Sequence, residues 1–223
     1  HQWNAQVIHI PEQSYEAKPF VVEADWSAAS YFYALAALSN SADIILNGLF
    51  ENSLQGDSAL IEIFKNFGVK TQFTPKGIRL LKEKTNLPES FHYDFILCPD
   101  LAQTLTVVCA GLGVKGYFSG LETLRIKETD RIQALENEIS KGGCHILPYS
   151  GNSITGKEIF EITGTFQTSQ TPVFKTYEDH RMAMAFAPLA ILMPIEIEDP
   201  GVVIKSYPDF WKDFQCLGLN ITH

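Results

Sequence analysis

Asp25-Trp-Ser-Ala-Ala-Ser-Tyr-Phe-Tyr-Ala-Leu35 is an aspartate followed by small and apolar residues, and the chain contains this pattern three times. The second copy is Asp100-Leu-Ala-Gln-Thr-Leu-Thr-Val-Val-Cys-Ala110, and the third is Asp179-His-Arg-Met-Ala-Met-Ala-Phe-Ala-Pro-Leu189. The starts of the copies are 75 and 79 residues apart. Self-similarity at a nearly fixed spacing indicates a structural repeat. Because the segments are rich in alanine and apolar on most faces, they predict three buried helices.

A second series of helices follows the first at a nearly constant offset. Asp57, Asp130 and Asp209 each open an amphipathic segment with a glycine near its end, and they lie 32, 30 and 30 residues after the first aspartate of their unit. Short β-rich runs bounded by turn residues follow the helices. With a lead-in strand such as Phe20-Val-Val-Glu23, each unit has the order βαβαββ. Three such units predict one mixed α/β domain of the α+β type, with parallel helices buried and mixed sheets outside.

The predicted boundaries place the three repeats at about residues 20–94, 95–172 and 173–223. We expect loops at residues 83–94 and 164–176, and a last short strand at residues 219–221. Because the chain begins at His1 rather than at Met, we expect it to be part of a longer protein.

The charge balance excludes some classes of function. The 223 residues include 17 Lys and Arg against 26 Asp and Glu, which gives a net charge of −9. Such a chain repels phosphate at long range, so we expect neither nucleic acid nor an anionic membrane as a general partner. An anionic small molecule would have to bind where positive charge is locally concentrated.

Cysteine and apolar patterns predict a cytoplasmic protein. The four cysteines are far apart, and with six scattered histidines they have no zinc-binding spacing. The longest apolar stretch, residues 182–195, is interrupted by Pro188 and Pro194 and is shorter than the roughly 20 residues of a membrane span. We therefore expect no metal site, no membrane partner and a reducing compartment.

The run Arg125-Ile-Lys-Glu-Thr-Asp-Arg131 is the most informative candidate site, because it places three cations around a predicted helix start. Arg131 would lie in the first helical turn, where the helix dipole disfavours a cation unless an anion is near. Two simpler interpretations remain open. Surface charge clusters are often merely solvated, and aspartate at a helix start often acts only as an N-cap.

If the repeats are related by approximate symmetry, their helix starts converge on one face. That face would then hold an anion-binding floor and a set of proton-handling groups. The floor would consist of Lys127, Arg131, Arg181 and Lys205, and the proton-handling groups would be Asp100, Glu128 and His180.

Two of these motifs closely resemble signatures of the 5-enolpyruvylshikimate-3-phosphate synthase family, namely Lys127-Glu-Thr-Asp-Arg131 and Asp179-His-Arg-Met-Ala-Met184. Supporting matches occur in the family's order across nearly the whole chain. They are Val22-Glu-Ala-Asp-Trp-Ser-Ala-Ala-Ser-Tyr-Phe32, Asn52-Ser-Leu-Gln-Gly-Asp57, Pro99-Asp100 and Lys205-Ser-Tyr-Pro-Asp-Phe210. The combination is specific, although each piece alone is weak.

The resemblance implies the fold of enolpyruvyl transferases, which have two similar domains of three βαβαββ units each. This chain resembles the C-terminal half, residues 20–223, so the N-terminal domain would be a missing partner. Residues 1–19 would hold the end of that domain and the crossover. The strand-like Gln6-Val-Ile-His-Ile10 would then have lost its native sheet.

The resemblance also implies the reaction and the residues that perform it. The enolpyruvyl group of phosphoenolpyruvate passes to the 5-hydroxyl of shikimate 3-phosphate, and phosphate is released, without a metal or an organic cofactor. Asp100 would contact the shikimate hydroxyls and act as a base, and Glu128 would be the acid–base group for the methylene carbon. The implied substrate-binding residues are Asp100, Lys127, Arg131, His180, Arg181 and Lys205. Thr123 stands where some members have a substrate-contacting Asn, so that contact is not carried over.

Two alternatives stay open at this stage. One is the related enolpyruvyl transferase that acts on UDP-N-acetylglucosamine, in which the two signature motifs are not expected. The other is a non-catalytic binding module that has kept the fold. The joint presence of Asp100, Glu128, Arg131, Arg181 and Lys205 argues against a module. We also expect the isolated chain to be inactive, since the substrates would bind between two domains.

Overall fold

The computed structural model describes residues 2–4, 7–126, 129–151 and 157–222. Its α-helices, in chain order, are α1 (Trp26–Leu38), α2 (Leu60–Lys65), α3 (Ala102–Leu112), α4 (Arg131–Ile139), α5 (His180–Phe186) and α6 (Phe210–Cys216). Its strands are β1 (Gln2–Asn4), β2 (Val7–His9), β3 (Asp43–Asn47), β4 (Val69–Thr74), β5 (Gly77–Lys82), β6 (Ser90–Asp94), β7 (Lys115–Ser119), β8 (His145–Pro148), β9 (Ile159–Thr163), β10 (Val173–Phe174) and β11 (Glu196–Ile197).

Helices α1, α3 and α5 form the centre of the molecule and pack against one another. They are the three helices that the repeated segments predict, and most of their side chains are buried. Asp25 caps α1 by accepting a hydrogen bond from the Ser27 amide at 2.8 Å, and Asp179 caps α5 in the same way. The small and apolar residues of α1, α3 and α5 allow close packing on several faces of each helix, so the prediction of buried helices is confirmed.

Helices α2, α4 and α6 are the second series and bury one face each. Asp130 caps α4 by accepting from the amides of Ile132 and Gln133, both at 3.1 Å. The amphipathic pattern in the sequence therefore locates these helices correctly. Asp57 instead lies in a short 3-10 helix, Gly56–Ala59, that precedes α2.

The sheets repeat one strand order. The middle unit has the order β6-β7-β9-β8, in which β6 and β7 are parallel and the other neighbours are antiparallel. The first unit gives β3-β5-β4, and the third gives β10-β11, a parallel pair like β6-β7. Within the described residues, the first sheet therefore lacks the opening strand of this order and the third lacks the last two. The mixed α/β class that the sequence predicts is the class observed.

Four local predictions are wrong. Residues 20–23 are described but form no strand, and Phe20, Val21 and Val22 are 84%, 74% and 80% exposed, because nothing in the described chain covers them. Residues 219–221 form no strand either, and none of the described strands pairs with them. The expected loops at 83–94 and 164–176 contain β6 and β10, which are ordered by pairing with β7 and β11.

Strand β2 falls within the strand-like stretch of residues 6–10, and it pairs with β1 as a separate antiparallel hairpin.

No helix in the described ranges is both long and apolar enough to cross a membrane. All four cysteines lie in those ranges and carry free thiols.

Candidate active site

Asp179 connects the start of α5 to the start of α4. Its side chain is fully buried, and it accepts hydrogen bonds from the Arg131 Nε at 2.6 Å and from the Arg181 amide at 2.8 Å. One carboxylate therefore caps one helix and pairs with the first residue of another. Since a buried carboxylate is costly unless paired and hydrogen-bonded, these contacts explain how Asp179 is tolerated there.

Arg131 is the first residue of α4, and only 1% of it is exposed. Besides Asp179, it binds the Oδ1 of Asp100 through Nη1 at 3.2 Å. The sequence indicates that a cation in the first helical turn needs an anion nearby. Within the part of the chain that the structure describes, the carboxylates of Asp179 and Asp100 meet this need.

Asp100 joins the two arginines. Its Oδ1 accepts from Arg131 and its Oδ2 accepts from the Nη2 of Arg181 at 2.9 Å. The Asp100 side chain is 28% exposed and that of Arg181 is 16% exposed, so these two are the solvent-facing members of the group. We call Asp100, Arg131, Asp179 and Arg181 the arginine–aspartate cluster.

Asp100 is not an N-cap, although a capping role is one interpretation of its position in the sequence. It lies within the 3-10 helix Pro99–Leu101 that leads into α3, whose N-cap residue is Leu101. The Asp100 carboxylate is therefore directed to Arg131 and Arg181 instead of to the helix amides.

The surroundings of the cluster shift three ionisation equilibria. Burial raises the pKa of Asp57, even though the Ser27 hydroxyl donates a hydrogen bond to its carboxylate. Burial likewise raises the pKa of Tyr31 to about 12. Burial alone would lower the pKa of Arg181, but the nearby groups, chiefly Tyr31 and Asp100, raise it. Arg181 therefore keeps its charge although its side chain is largely buried.

The other predicted site residues are distributed differently. Lys127 and Glu128 lie outside the described residues. His180 is buried beside the cluster, with its Nδ1 at 3.9 Å from the Oδ1 of Asp179. Lys205 is exposed at the end of the 3-10 helix Pro200–Lys205, which packs against α5. The structure thus brings Asp100, Arg131, His180 and Arg181 together and places Lys205 on a neighbouring element.

Sequence reasoning missed three groups at this site. Asp179 looks like a helix cap, and its second role in pairing with Arg131 leaves no separate signal in the sequence. Tyr31 and the Ser27–Asp57 pair are close to Arg181 and Asp100 through the fold alone. The nearest available signal is the repeat itself, because Asp57 is the first-unit equivalent of Asp130.

A groove of about 510 Å³ lies apart from the arginine–aspartate cluster. It runs between α1, β3 and α6, and its lining includes Ile44, Leu46 and Tyr207. No member of the cluster lines it. We therefore place the candidate chemistry at the cluster and not in this groove.

Solved structures of other proteins have the same fold as this chain. EPSP synthase from Acinetobacter baumannii superposes with a TM-score of 0.67 at 23% identity, over 90% of this chain and 47% of that one. The enolpyruvyl transferase NikO from Streptomyces tendae gives a TM-score of 0.61 at 12% identity, over 91% and 44% of the two chains. The fold is that of the enolpyruvyl transferases.

The chain belongs to the EPSP synthase (3-phosphoshikimate 1-carboxyvinyltransferase) family, whose model matches residues 1–214. A 3-phosphoshikimate 1-carboxyvinyltransferase of Bacteroides fragilis is 52% identical over 218 residues, which are 97% of this chain and 52% of the relative. That of Syntrophobacter fumaroxidans is 34% identical, over 96% of this chain and 48% of the relative. The chain thus spans about half the length of the curated relatives it matches.

Proposed function

We propose that this chain supplies one half of an active site that transfers the enolpyruvyl group of phosphoenolpyruvate to the 5-hydroxyl of shikimate 3-phosphate. The observation that carries the proposal is the arginine–aspartate cluster, because it joins residues of the two family motifs with Asp100. The similarity to curated synthases supports the same reaction. We place the reaction in the cytoplasm, in keeping with four free thiols.

In the proposed addition step, Asp100 accepts the proton of the 5-hydroxyl, whose oxygen bonds to the central carbon of phosphoenolpyruvate. Glu128 delivers a proton to the methylene carbon, and a tetrahedral intermediate results. In the elimination step Glu128 takes a proton back from the new methyl group and the double bond re-forms. The bond from the central carbon to the phosphate oxygen breaks, and phosphate departs with the proton that Asp100 had accepted. The partial exposure of Asp100 leaves its carboxylate within reach of a substrate while two arginines orient it.

The anionic substrates would be held by the cations around Asp100. The two arginines and two aspartates of the cluster together carry no net charge, so binding needs further cations or a rearrangement of the cluster. Lys127, His180 and Lys205 are the proposed additional groups. Arg181 would bind phosphoenolpyruvate through the part of its guanidinium that remains exposed, since this planar group suits a carboxylate or a phosphate. Arg131 is already paired with two carboxylates, so it would lie behind Arg181 and contribute its positive charge from there.

We further propose that this chain alone does not turn over. The relatives it matches are about twice as long, and the solved enolpyruvyl transferases extend well beyond the region that it covers. The rest of the enzyme, including its N-terminal domain, would be the partner that completes the substrate cleft.

The test is phosphate release by the full-length protein that contains this chain, with shikimate 3-phosphate or UDP-N-acetylglucosamine as the acceptor. We expect activity with shikimate 3-phosphate only. Because a positioned base contributes about 100- to 10,000-fold, Asp100→Asn should lower kcat by at least about 100-fold.

The matched control is Asp43→Asn, which changes another aspartate paired with an arginine, Arg79, on the outer sheet. It should stay within about twofold of wild type, since exposed pairs contribute little. Turnover with the UDP-sugar, or an Asp100→Asn enzyme as fast as the Asp43→Asn enzyme, would contradict the proposal.

A further inference from the structure

The turn before α5 has an unusual backbone. Tyr177 and Glu178 have φ angles of +54° and +57°, and Asp179 follows them directly. Residues with a Cβ rarely adopt this left-handed conformation, and two in succession persist only where the surroundings hold them. This turn leads directly into Asp179, His180 and Arg181, so the contacts that hold it also affect the position of these three residues.

Glu138 on α4 contacts this turn directly. It is only 1% exposed, yet it carries a carboxylate. Its Oε1 accepts from the Tyr177 hydroxyl at 2.8 Å and its Oε2 accepts from the Lys175 amide at 2.9 Å. The Lys141 ammonium also donates to Oε2. The two carboxylate oxygens of Glu138 therefore hold the residues immediately before and after residue 176.

Lys141 extends the same contact toward β10. Its ammonium donates to the Val173 carbonyl at 2.7 Å as well as to Glu138. Lys141 lies in the 3-10 helix Ser140–Gly142 that follows α4. Since Arg131 at the start of α4 binds Asp179, α4 and this short helix together hold residues 173–179 at both ends. Glu138 contacts Lys175 before the left-handed pair and Tyr177 within it, and the Arg131 contact lies after it.

The path from Glu138 to the cluster consists of direct contacts. The turn it holds leads into Asp179, which accepts from the Arg181 amide, and Arg181 binds Asp100. A shift of the turn would therefore move the start of α5 and the Arg181 guanidinium with it. A buried carboxylate is a costly way to stabilise a core, because an apolar side chain of similar size often does as well. Because burying the Glu138 carboxylate is costly, we expect it to have a role that depends on its directional hydrogen bonds.

We infer that Glu138 is a positioning residue, which sets the place of Arg181 against Asp100 by holding the turn at residues 175–178. This inference rests on the proposed function for its effect on catalysis, but its effect on the turn is independent of that function. Within the described residues, Glu138 bonds to Lys141, Lys175 and Tyr177 and not to the cluster, so it acts through the turn.

The test variant is Glu138→Gln in the full-length protein. The substitution keeps the shape but replaces one acceptor oxygen with an amide that donates, so the side chain cannot accept from both Lys175 and Tyr177. The matched control is Glu136→Gln, on the same helix. Glu136 accepts from the Ile146 amide at 2.6 Å and contacts the Nδ1 of His145 at 2.9 Å, so it holds β8 and not the turn.

We expect two results from Glu138→Gln that Glu136→Gln does not give. Amide hydrogen exchange in residues 175–181 becomes faster. In addition, kcat/KM for phosphoenolpyruvate falls by about 10- to 100-fold, as small misplacements of a binding group can cause. The KM for phosphoenolpyruvate should rise more than that for shikimate 3-phosphate, because the turn leads directly to Arg181.

Equal exchange and equal kinetic constants in the two variants would overturn the inference, even if Glu138→Gln also lowers Tm, since a merely structural role moves Tm alone. Should Glu138→Gln not fold, Tyr177→Phe removes one of its hydrogen bonds and should give the same pattern more weakly. A Tyr177→Phe enzyme identical to wild type in both readouts would then overturn it. If the wild-type protein releases no phosphate at all, the proposed function fails, and the exchange comparison alone decides the role of Glu138.

Discussion

Asp100 is the point at which the motifs of two repeats meet. Its two carboxylate oxygens are divided between Arg131 at the start of α4 and Arg181 at the start of α5. The division leaves Arg131 nearly inaccessible and Arg181 partly exposed. The two arginines therefore differ in accessibility in the folded chain, although the resemblance implies that both bind substrate.

The burial of Arg131 predicts a large cost for its removal. In Arg131→Met, the Asp179 carboxylate stays buried without its arginine, and breaking a buried pair in this way costs about 3–5 kcal/mol. We therefore expect the free energy of unfolding, measured by urea titration, to fall by about that amount. Arg79→Met, which breaks an exposed pair with Asp43, is the control and should change it by less than about 1 kcal/mol. Similar midpoints for the two variants would contradict the structural role assigned to Arg131.

At this scale the sequence predicts residue types better than contacts. The expectation that Arg131 needs an anion is confirmed, because a helix dipole acts within one turn and is visible in the sequence. The identity of that anion was not predictable, since Asp179 is 48 residues away and looks like a cap. Glu138 gave no signal either, because an amphipathic helix normally exposes its glutamates.

The central helices contact each other through a polar pair as well as apolar side chains. Ser30 on α1 and Thr104 on α3 lie at nearly corresponding places in their repeats, and their hydroxyl oxygens are 3.0 Å apart in a fully buried position. A hydroxyl pair of this kind fixes the register between two helices that are otherwise rich in alanine.

This pair predicts non-additive mutations. Thr104→Val leaves the Ser30 hydroxyl buried without this partner and should cost about 1–3 kcal/mol. Ser30→Ala removes that orphaned group, so the double variant should be about as stable as Thr104→Val alone, or more stable. The coupling is measured by urea unfolding of the two single variants and the double variant.

Thr106→Val is the control for this cycle. The Thr106 hydroxyl is buried on the same helix but donates to the Ala102 carbonyl at 2.8 Å, within α3. Ser30→Ala and Thr106→Val should therefore add independently. Two results would contradict this prediction. One is equal coupling of Ser30→Ala to Thr104→Val and to Thr106→Val, and the other is simple additivity of Ser30→Ala with Thr104→Val. Either would show that the contact between α1 and α3 does not depend on the hydroxyl pair.

Helices were easier to predict here than strands, for a physical reason. Their periodic burial and aspartate caps are local, so the starts of α1, α4 and α5 follow from short segments. Strands β6 and β10 lie in stretches that look like loops, and they become strands by pairing with β7 and β11. Residues 20–23 show the converse, because their apolar pattern is insufficient where nothing covers them.

Within the described residues, the sheets of the three units follow one strand order, and the sheets of the first and third units have fewer strands than that of the middle unit. The cluster draws on the second and third units, and Ser27 and Asp57 of the first unit lie near it. The domain boundaries that we predict from the repeats remain a prediction. At this scale the proposal is that the three units present one half of a substrate cleft.

The most direct test of that proposal is phosphate release from phosphoenolpyruvate in the presence of shikimate 3-phosphate. It is measured with this chain alone, with the other half of the enzyme made as a separate polypeptide, and with the two mixed. The account predicts no release by either half alone and release by the mixture, which Asp100→Asn in this chain slows by at least about 100-fold. Turnover by this chain alone at the rate of the mixture would contradict it.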